Sequence, residues 1–241
     1  WFTKDVTQQG VNWADYGTPP ESNANYAWIL HILSKLKADK GIAGFLLANG
    51  ALGDDDTVAI RQKLIENDKV EAIVVLPREL FYTTDISVTL WILNANKKAR
   101  VVYRNEEEIH YRDREKEILF IDMRQMGKPF EKKYVRFTDE NIRKVADTYH
   151  NWQREGHTET YTDMPEFCKS VSMDEEGGIA DKGFSLVPSK YIEFVNRDES
   201  VDYDTRMKEL QSELADILRQ EAESREVVLN VFKSLGYEIK L

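Results

Sequence analysis

One cysteine, Cys168, stands in 241 residues, which excludes an internal disulfide and fits a reducing cytoplasm. Histidine is almost as scarce. His31, His110, His150 and His157 are scattered, and with Cys168 they show no metal-ligand spacing, so no structural zinc site is expected. No apolar run approaches the ~20 residues that a membrane helix needs. The first residues also lack the basic segment and apolar stretch of a secretory signal. Cations are in the minority: 33 Lys and Arg against 43 Asp and Glu leave a net charge of −10. Such a chain does not wrap nucleic acid by itself, because phosphate neutralisation needs clustered cations. Nucleic-acid contact would need a local basic face, or a partner that does the gripping.

Catalytic signatures are missing as well. There is no G-x-x-x-x-G-K-[ST] phosphate loop, no G-x-G-x-x-G after a strand, no G-x-S-x-G elbow and no H-E-x-x-H pair. Asp54, Asp55 and Asp56 lie in a loop and read as solvation or helix capping. By pattern alone no catalytic constellation is visible.

What is present is an α/β pattern with 41% hydrophobic and 32% charged residues, enough for a core in one domain plus an appendage. Residues 1–24 read as a loop, punctuated by Gly17, Pro19 and Pro20. Asn23 or Asn25 caps a helix over Tyr26–Lys37, whose apolar face is Trp28, Ile29, Ile32, Leu33 and Leu36. Ile42–Ala48 reads as a buried strand, broken by Asn49-Gly50. A helix from about Thr57 to Asn67, with Asp54 to Asp56 at its start, turns Ile60, Leu64 and Ile65 inward.

The clearest stretch is Val70–Asn94. Ile73–Leu76 has the pattern of a strand buried on both faces, ended by Pro77, which has no N–H for a central ladder. Ile86–Leu93 is rich in β-branched and aromatic residues and returns antiparallel at the sheet's edge. The ten-residue connection exceeds the usual hairpin loop and carries Phe81 and Tyr82. Two readings of Phe81 stand: it folds back to cover the sheet, or it stacks on a flat ligand. Ligands in such sheets bind beyond the carboxyl ends of the strands, which places Ala48-Asn49-Gly50 and Pro77–Phe81 at that rim.

Lys97–Lys116 is dominated by charge and reads as a solvated excursion. Ile118–Ile121 is another short strand, and 125–137 a polar loop. Thr138 caps a helix to Trp152, although Asn141 in place of Glu or Gln falls short of a capping box. Residues 153–200 read as irregular, with a short strand and turn at Phe184–Pro188. A last helix runs from near Asp204 to Leu235. Its apolar seam (Met207, Leu210, Leu214, Ile217, Val228, Val231, Leu235) is interrupted by Glu221 and Ser224, either a broken coiled-coil contact or a helix packed on its own domain.

Several stretches resemble the modification subunit of type I restriction–modification systems: NANYAWILHILSKLK (Asn23–Lys37), GIAGFLLANGAL (Gly41–Leu52), the block Ile60–Lys97 and ILFIDMRQMG (Ile118–Gly127). Phe137–Trp152, Tyr161–Ser170 and Phe184–Ile192 continue the likeness in order. The resemblance implies methyl transfer from S-adenosylmethionine to the N6 of adenine in DNA, by a Rossmann-like sheet whose seventh strand is antiparallel. It places Ile42–Ala48 as the fifth strand, Glu71–Leu76 as the sixth and Ile86–Leu93 as the seventh. It implies no catalytic and no cofactor-binding residue here, because the family's glycine-rich loop and Asn-Pro-Pro-Phe tetrapeptide have no counterpart, and the sequence opens at Trp1 without a methionine.

The expectation is therefore the C-terminal half of such a subunit, inactive and unable to hold S-adenosylmethionine alone. Residues 1–127 would complete the catalytic domain, 128–203 form an irregular and helical extension, and 204–241 form a contact helix. The resemblance further implies that Phe81 packs on the flipped adenine, with Tyr82, Thr83 and Thr84 beside it. The expected partners are a specificity subunit, a second modification subunit, a restriction subunit and DNA with a target adenine, in the cytoplasm and without a membrane. The alternative is a non-catalytic assembly module that binds a specificity subunit through its last helix. A sheet lacking its first four strands would expose an apolar edge and self-associate.

Overall fold

The computed structural model describes residues 13–195 and 203–237, which fall into two compact units, 1–194 and 195–241. The first unit is a mixed α/β fold. It comprises α1 (Trp13–Tyr16), α2 (Asn25–Lys35), β1 (Ile42–Ala48), α3 (Val58–Glu66), β2 (Val70–Val75), β3 (Val88–Asn94), β4 (Arg100–Arg104) and β5 (Glu107–Tyr111). There follow β6 (Glu117–Asp122), β7 (Lys128–Phe130), β8 (Tyr134–Arg136), α4 (Asp139–Gln153), α5 (His157–Thr160) and β9 (Cys168–Ser172). Five strands form one sheet in the order β1-β3-β2-β6-β9, while β4–β5 and β7–β8 are separate hairpins.

Within the sheet β3 is antiparallel to both β1 and β2, β6 is parallel to β2, and β9 is antiparallel to β6. Two expectations are corrected. The returning strand β3 is not at an edge but inserted between β1 and β2. The strand β1 is not buried: it forms one edge of the sheet, with Ile42 52% and Leu46 46% exposed. Its run IAGFLLA is apolar on both faces. One face, through Phe45 and Leu47, packs against Trp91 and the first core; on the other, Ile42 and Leu46 stay open.

The sheet is covered on two sides. On one, Tyr26, Ile29 and Leu30 of α2 and Ile60, Leu64 and Ile65 of α3 pack on Ile73, Val75, Trp91 and Phe120. The buried face of α2 is rotated from the one expected, so that Trp28 is exposed. Tyr26 turns inward because its hydroxyl donates to Ala51 O at 2.8 Å and its ring meets Trp91 edge-on. Neither asparagine caps α2; Asn23 Oδ1 accepts from the Asn25 N–H ahead of an Ala24 N-cap. The aspartates do not cap α3 through side chains either. Asp54 instead accepts from Asn23 through its carboxylate, and through its carbonyl from Arg61.

On the other side Trp152 of α4, with Val145 and Tyr149, covers Ala72, Val74, Leu119 and Ile121. Every residue of β2 is buried, Ile73–Val75 as their apolar run implies and Glu71 contrary to it. At the start of α4, Thr138 Oγ1 accepts from Asn141 N while Asn141 Oδ1 accepts from Thr138 N. The reciprocal box therefore closes with asparagine, whose short carboxamide still reaches the N-cap N–H.

The charged stretch 97–116 is not a solvated excursion. It forms the β4–β5 hairpin, and both its ends plug into the core through Lys97 and Arg114, 2% and 1% exposed. Their anchor is Glu71, fully buried where the β2–β3 register steps between Val70 and Ala72. A bulge of this kind re-aims one side chain. The Glu71 carboxylate accepts from Arg114 Nε at 3.0 Å, from Gln153 Nε2 at 2.9 Å and from Asn94 Nδ2. Lys97 donates to Val70 O at 3.1 Å and pairs with Asp68 at 3.4 Å. Burial pulls the Lys97 ammonium below its usual range, opposed by Asp68 and Glu71.

Two readings of 153–200 also change. Cys168–Ser172 is a strand of the main sheet, and Phe184–Pro188 is not a strand but leads into a 3-10 turn at Pro188–Lys190. In the second unit α6 (Tyr203–Ser234) is one continuous helix, close to the expected span. Its apolar side chains Met207, Leu210, Leu214, Ile217, Val228 and Val231 are exposed. Among the described residues no helix is long and apolar enough to cross a membrane.

Removing one member of the buried charge cluster strands the others. Arg114→Met is expected to cost about 3–5 kcal/mol, because the fully buried Glu71 carboxylate loses its countercharge. Glu71→Leu combined with Arg114→Met is expected to cost less than the two single changes summed. Urea denaturation of the three variants checks both statements, and strict additivity would show that the pair is not coupled.

Candidate functional site

β1 and β2 both run antiparallel to β3, and β6 runs parallel to β2, so the carboxyl ends of β1, β2 and β6 open on one rim. A cavity of about 600 Å³ lies there, lined by Asn49 beyond β1, Pro77, Arg78, Glu79 and Ser87 of the β2–β3 connection, and Arg124–Gly127 beyond β6, with Pro129 and Val135. The position is the one that strand directionality favours for ligands in open α/β sheets.

Each wall is held by backbone and side-chain bonds. Pro77 ends the ladder just after Leu76 N donates to Val88 O at 2.9 Å. Ser87 Oγ donates to Leu76 O and closes the base of the long connection. Asn49 Oδ1 accepts from the hydroxyl of buried Thr89 at 2.6 Å, which fixes the orientation of its carboxamide at the rim. The Asp122 carboxylate receives Arg124 Nε and Nη2 in a fork at 3.0 and 2.6 Å, and also the Arg124 backbone N–H at 2.9 Å. That hydrogen bonding raises the guanidinium above its ordinary range and fixes its plane.

The β7–β8 hairpin closes the cavity from outside. Val135 N donates to Glu79 O at 3.0 Å, and Glu79 itself takes a left-handed φ of 60° to present that carbonyl. Gly127, at φ 108°, is required where the chain enters the hairpin, because a Cβ there would collide with the Val135 side chain. Lys133 Nζ pairs with Asp85 at 2.8 Å, and this hydrogen bond raises the ammonium's pKa.

Phe81, Tyr82, Thr83 and Thr84 share a tight turn beside this cavity rather than in its walls. The turn is closed by a bridge in which Thr84 N donates to Phe81 O. Phe81 is half-buried and packs against the second core, while Tyr82 is 68% exposed and meets Tyr134 edge-on at 4.7 Å. Thr83 is exposed, and Thr84 Oγ1 accepts from Ile86 N. Asn49 and Pro77–Glu79 stand at the rim as strand direction implied. Sequence reasoning missed Arg124, Gln125 and the β7–β8 hairpin, read there as a polar loop. The available signal was that Asp122-Met123-Arg124 ends a strand, and so reaches the same rim once β6 is known to lie parallel to β2.

Among the described residues no group of His, Cys, Asp and Glu is arranged to hold a metal ion. Cys168 is buried, and burial raises its thiol above the ordinary range, so it is no activated nucleophile.

Comparison with known proteins gives this rim its context. Residues 1–200 match the N-6 DNA methylase family. The chain is 36% identical to the HindI methylase subunit of a type I restriction enzyme from Haemophilus influenzae, over 99% of this chain and 49% of that protein. It is 32% identical to the MjaIX methylase subunit from Methanocaldococcus jannaschii, over 91% of this chain and 36% of that one. The chain thus spans half or less of the curated relatives it matches. In fold it is similar to the methyltransferase subunit of a type I restriction–modification system from Streptococcus thermophilus, with a TM-score of 0.62 and 22% identity over 79% of this chain and 35% of that one. The chain belongs to the N-6 DNA methylase family.

Proposed function

We propose that the chain is the C-terminal half of the DNA-methylating subunit of a type I restriction–modification system, which moves a methyl group from S-adenosylmethionine to adenine N6 in DNA, in the cytoplasm. The observation that carries this reading is the family match over residues 1–200, joined to a sheet in which an antiparallel strand is inserted between two parallel ones. In this reading β1, β2 and β3 are the fifth, sixth and seventh strands of a Rossmann-like methyltransferase sheet. Residues 1–127 complete the catalytic domain and 128–203 extend it. The open edge of β1, with Ile42 and Leu46 exposed, is where the remaining strands add.

The residues present do not fit a site for S-adenosylmethionine. The cavity rim is built on Asn49, Pro77 and Arg78, and although Gly50 and Gly53 follow β1, no G-x-G-x-x-G turn follows a strand of the sheet among the described residues. No cofactor contact is assigned to this chain, nor any catalytic residue. Isothermal calorimetry of the 241-residue chain with S-adenosylmethionine is expected to show no binding heat; a saturable signal would contradict the assignment.

The contribution assigned to this chain is capture of the base. A methyltransferase acting on a base edge takes the base out of the stack and holds it between aromatic or apolar faces, at roughly 1–3 kcal/mol per stacked base. That face is assigned to Phe81 by the family resemblance, with Tyr82 as its neighbour and Thr83 and Thr84 lining the same turn; the packing of Phe81 on the second core would hold its ring in one orientation. In the complete subunit Phe81→Ala is expected to lower methylation about 5- to 150-fold, through weaker capture of the target, by that stacking energy. A methylation rate unchanged from wild type would remove Phe81 from this role.

A second reading is favoured by α6, whose exposed Leu210, Leu214, Ile217, Val228 and Val231 form an apolar seam. By that reading the chain is an assembly module that binds a specificity subunit through this helix, alongside a second modification subunit and a restriction subunit. The two readings are compatible in a multi-subunit enzyme. Deleting residues 204–241 is expected to abolish co-purification with the specificity subunit while leaving the circular dichroism of the sheet intact. Retained co-purification would move the contact elsewhere.

A further inference from the structure

The net charge of −10 conceals a local reversal. Between Arg124 and Arg136 the sequence places Arg124, Lys128, Lys132, Lys133 and Arg136 against one acid, Glu131. The fold gathers these cations on the β7–β8 hairpin and the turn before it, and the hairpin docks on the β2–β3 connection through Val135 N–H to Glu79 O. That places Arg78, exposed on the same cavity rim, beside them. Asp122 neutralises Arg124 and Asp85 neutralises Lys133, whereas the nearby Glu79, Glu131 and Asp139 form no ion pair with Arg78, Lys128, Lys132 or Arg136 among the described residues. Lys128 and Lys132 are exposed and have no ion pair among the described residues. Aromatic rings are interleaved with the charges: Phe130 lies under Arg136 at 5.7 Å, and Tyr134 holds exposed Tyr82 edge-on.

Basic side chains alternating with aromatic ones on a two-stranded ribbon suit a phosphodiester backbone, since the cations neutralise phosphates and the rings support sugars and bases. We infer that the β7–β8 hairpin is a DNA-backbone contact that grips the strand next to the target adenine, with Lys128 and Lys132 on phosphates. The inference rests on the methyltransferase reading and adds to it. Phe81 and Tyr82 receive the base, and the hairpin that touches Tyr82 through Tyr134 holds the flanking backbone. This accounts for how a strongly acidic chain handles a polyanion: positive charge is concentrated at one edge of the rim, and the rest of the chain repels DNA from other approaches.

The test is the salt dependence of DNA binding by the complete methylating assembly. It uses a fluorescently labelled duplex containing the target adenine and a scrambled duplex, for wild type and for Lys128→Gln with Lys132→Gln. Both lysines are exposed, so the variant's melting temperature is expected to match wild type. Each phosphate contact contributes about 0.9 to the slope of log K against log salt, so the variant's slope should be shallower by about 1.8 for each modification subunit, equally on both duplexes. An unchanged slope overturns the inference, as does failure of the wild-type assembly to bind DNA. A variant that loses a protein subunit while keeping its DNA slope overturns it too, and assigns the patch to an acidic protein surface. Methyl transfer is read separately. Loss of the methyltransferase reading with the slope change retained, or the reverse, tells the two claims apart.

Discussion

A carboxylate buried at a bulge organises the first unit. Glu71 sits at the start of the fully buried strand β2, and its cost there is offset only because three elements deliver donors to it: Arg114 from the segment after β5, Asn94 from the end of β3 and Gln153 from the end of α4. Each donor lies far from Glu71 in sequence, so satisfying the carboxylate requires the β3 insertion, the β4–β5 hairpin and the α4 cover together. A buried ion pair of this kind adds little net stability over an apolar pair, but a half-assembled one is penalised heavily. The cluster therefore discriminates between this arrangement and near alternatives more than it stabilises the sheet.

That arrangement sets the direction of the strands, and strand direction sets the site. Because β3 is inserted antiparallel, β1 and β2 lie parallel to one another without touching, and β6 adds parallel on the far side of β2. Three strand ends then open on one rim, with Asn49 pinned by Thr89, Arg124 pinned by Asp122 and the aromatic turn pinned beside them. Groups fixed in this way lose little freedom when a ligand arrives. The Phe81 turn and the basic hairpin are attached to one another through Glu79, Val135, Tyr82 and Tyr134, so base and backbone contacts would share one rigid platform.

Much of this was legible locally. The run Ile73–Leu76 announced a strand buried on both faces, and Pro77 announced its end, because both are consequences of short-range chemistry. Asn49 and Pro77–Glu79 could be placed at the rim from strand direction alone. The opposite held for Lys97–Lys116, where composition argued for solvent and the fold buried both ends. Charge reads as exposure only when no buried countercharge waits elsewhere, and Glu71 lies too far away in sequence to be seen. The apolar run of β1 misled in the other direction, since whether an apolar face is covered depends on what packs on it.

The sequence by itself determined the strands of the Val70–Asn94 stretch and the helices that begin near Asn25, Val58 and Asp139, the absence of a phosphate-loop motif, and, through its likeness to a methylase subunit, which class of chemistry to expect. Periodicity, proline, capping residues and motif spacing act over a few residues, which is why they can be read in a line of letters. Tertiary structure alone decided that β3 enters the middle of the sheet, that Glu71, Lys97 and Arg114 share one buried cluster, and that an acidic chain carries a basic hairpin at its rim. Those are contacts between distant segments. Their energies arise from desolvation, countercharge and packing, which exist only once the segments meet.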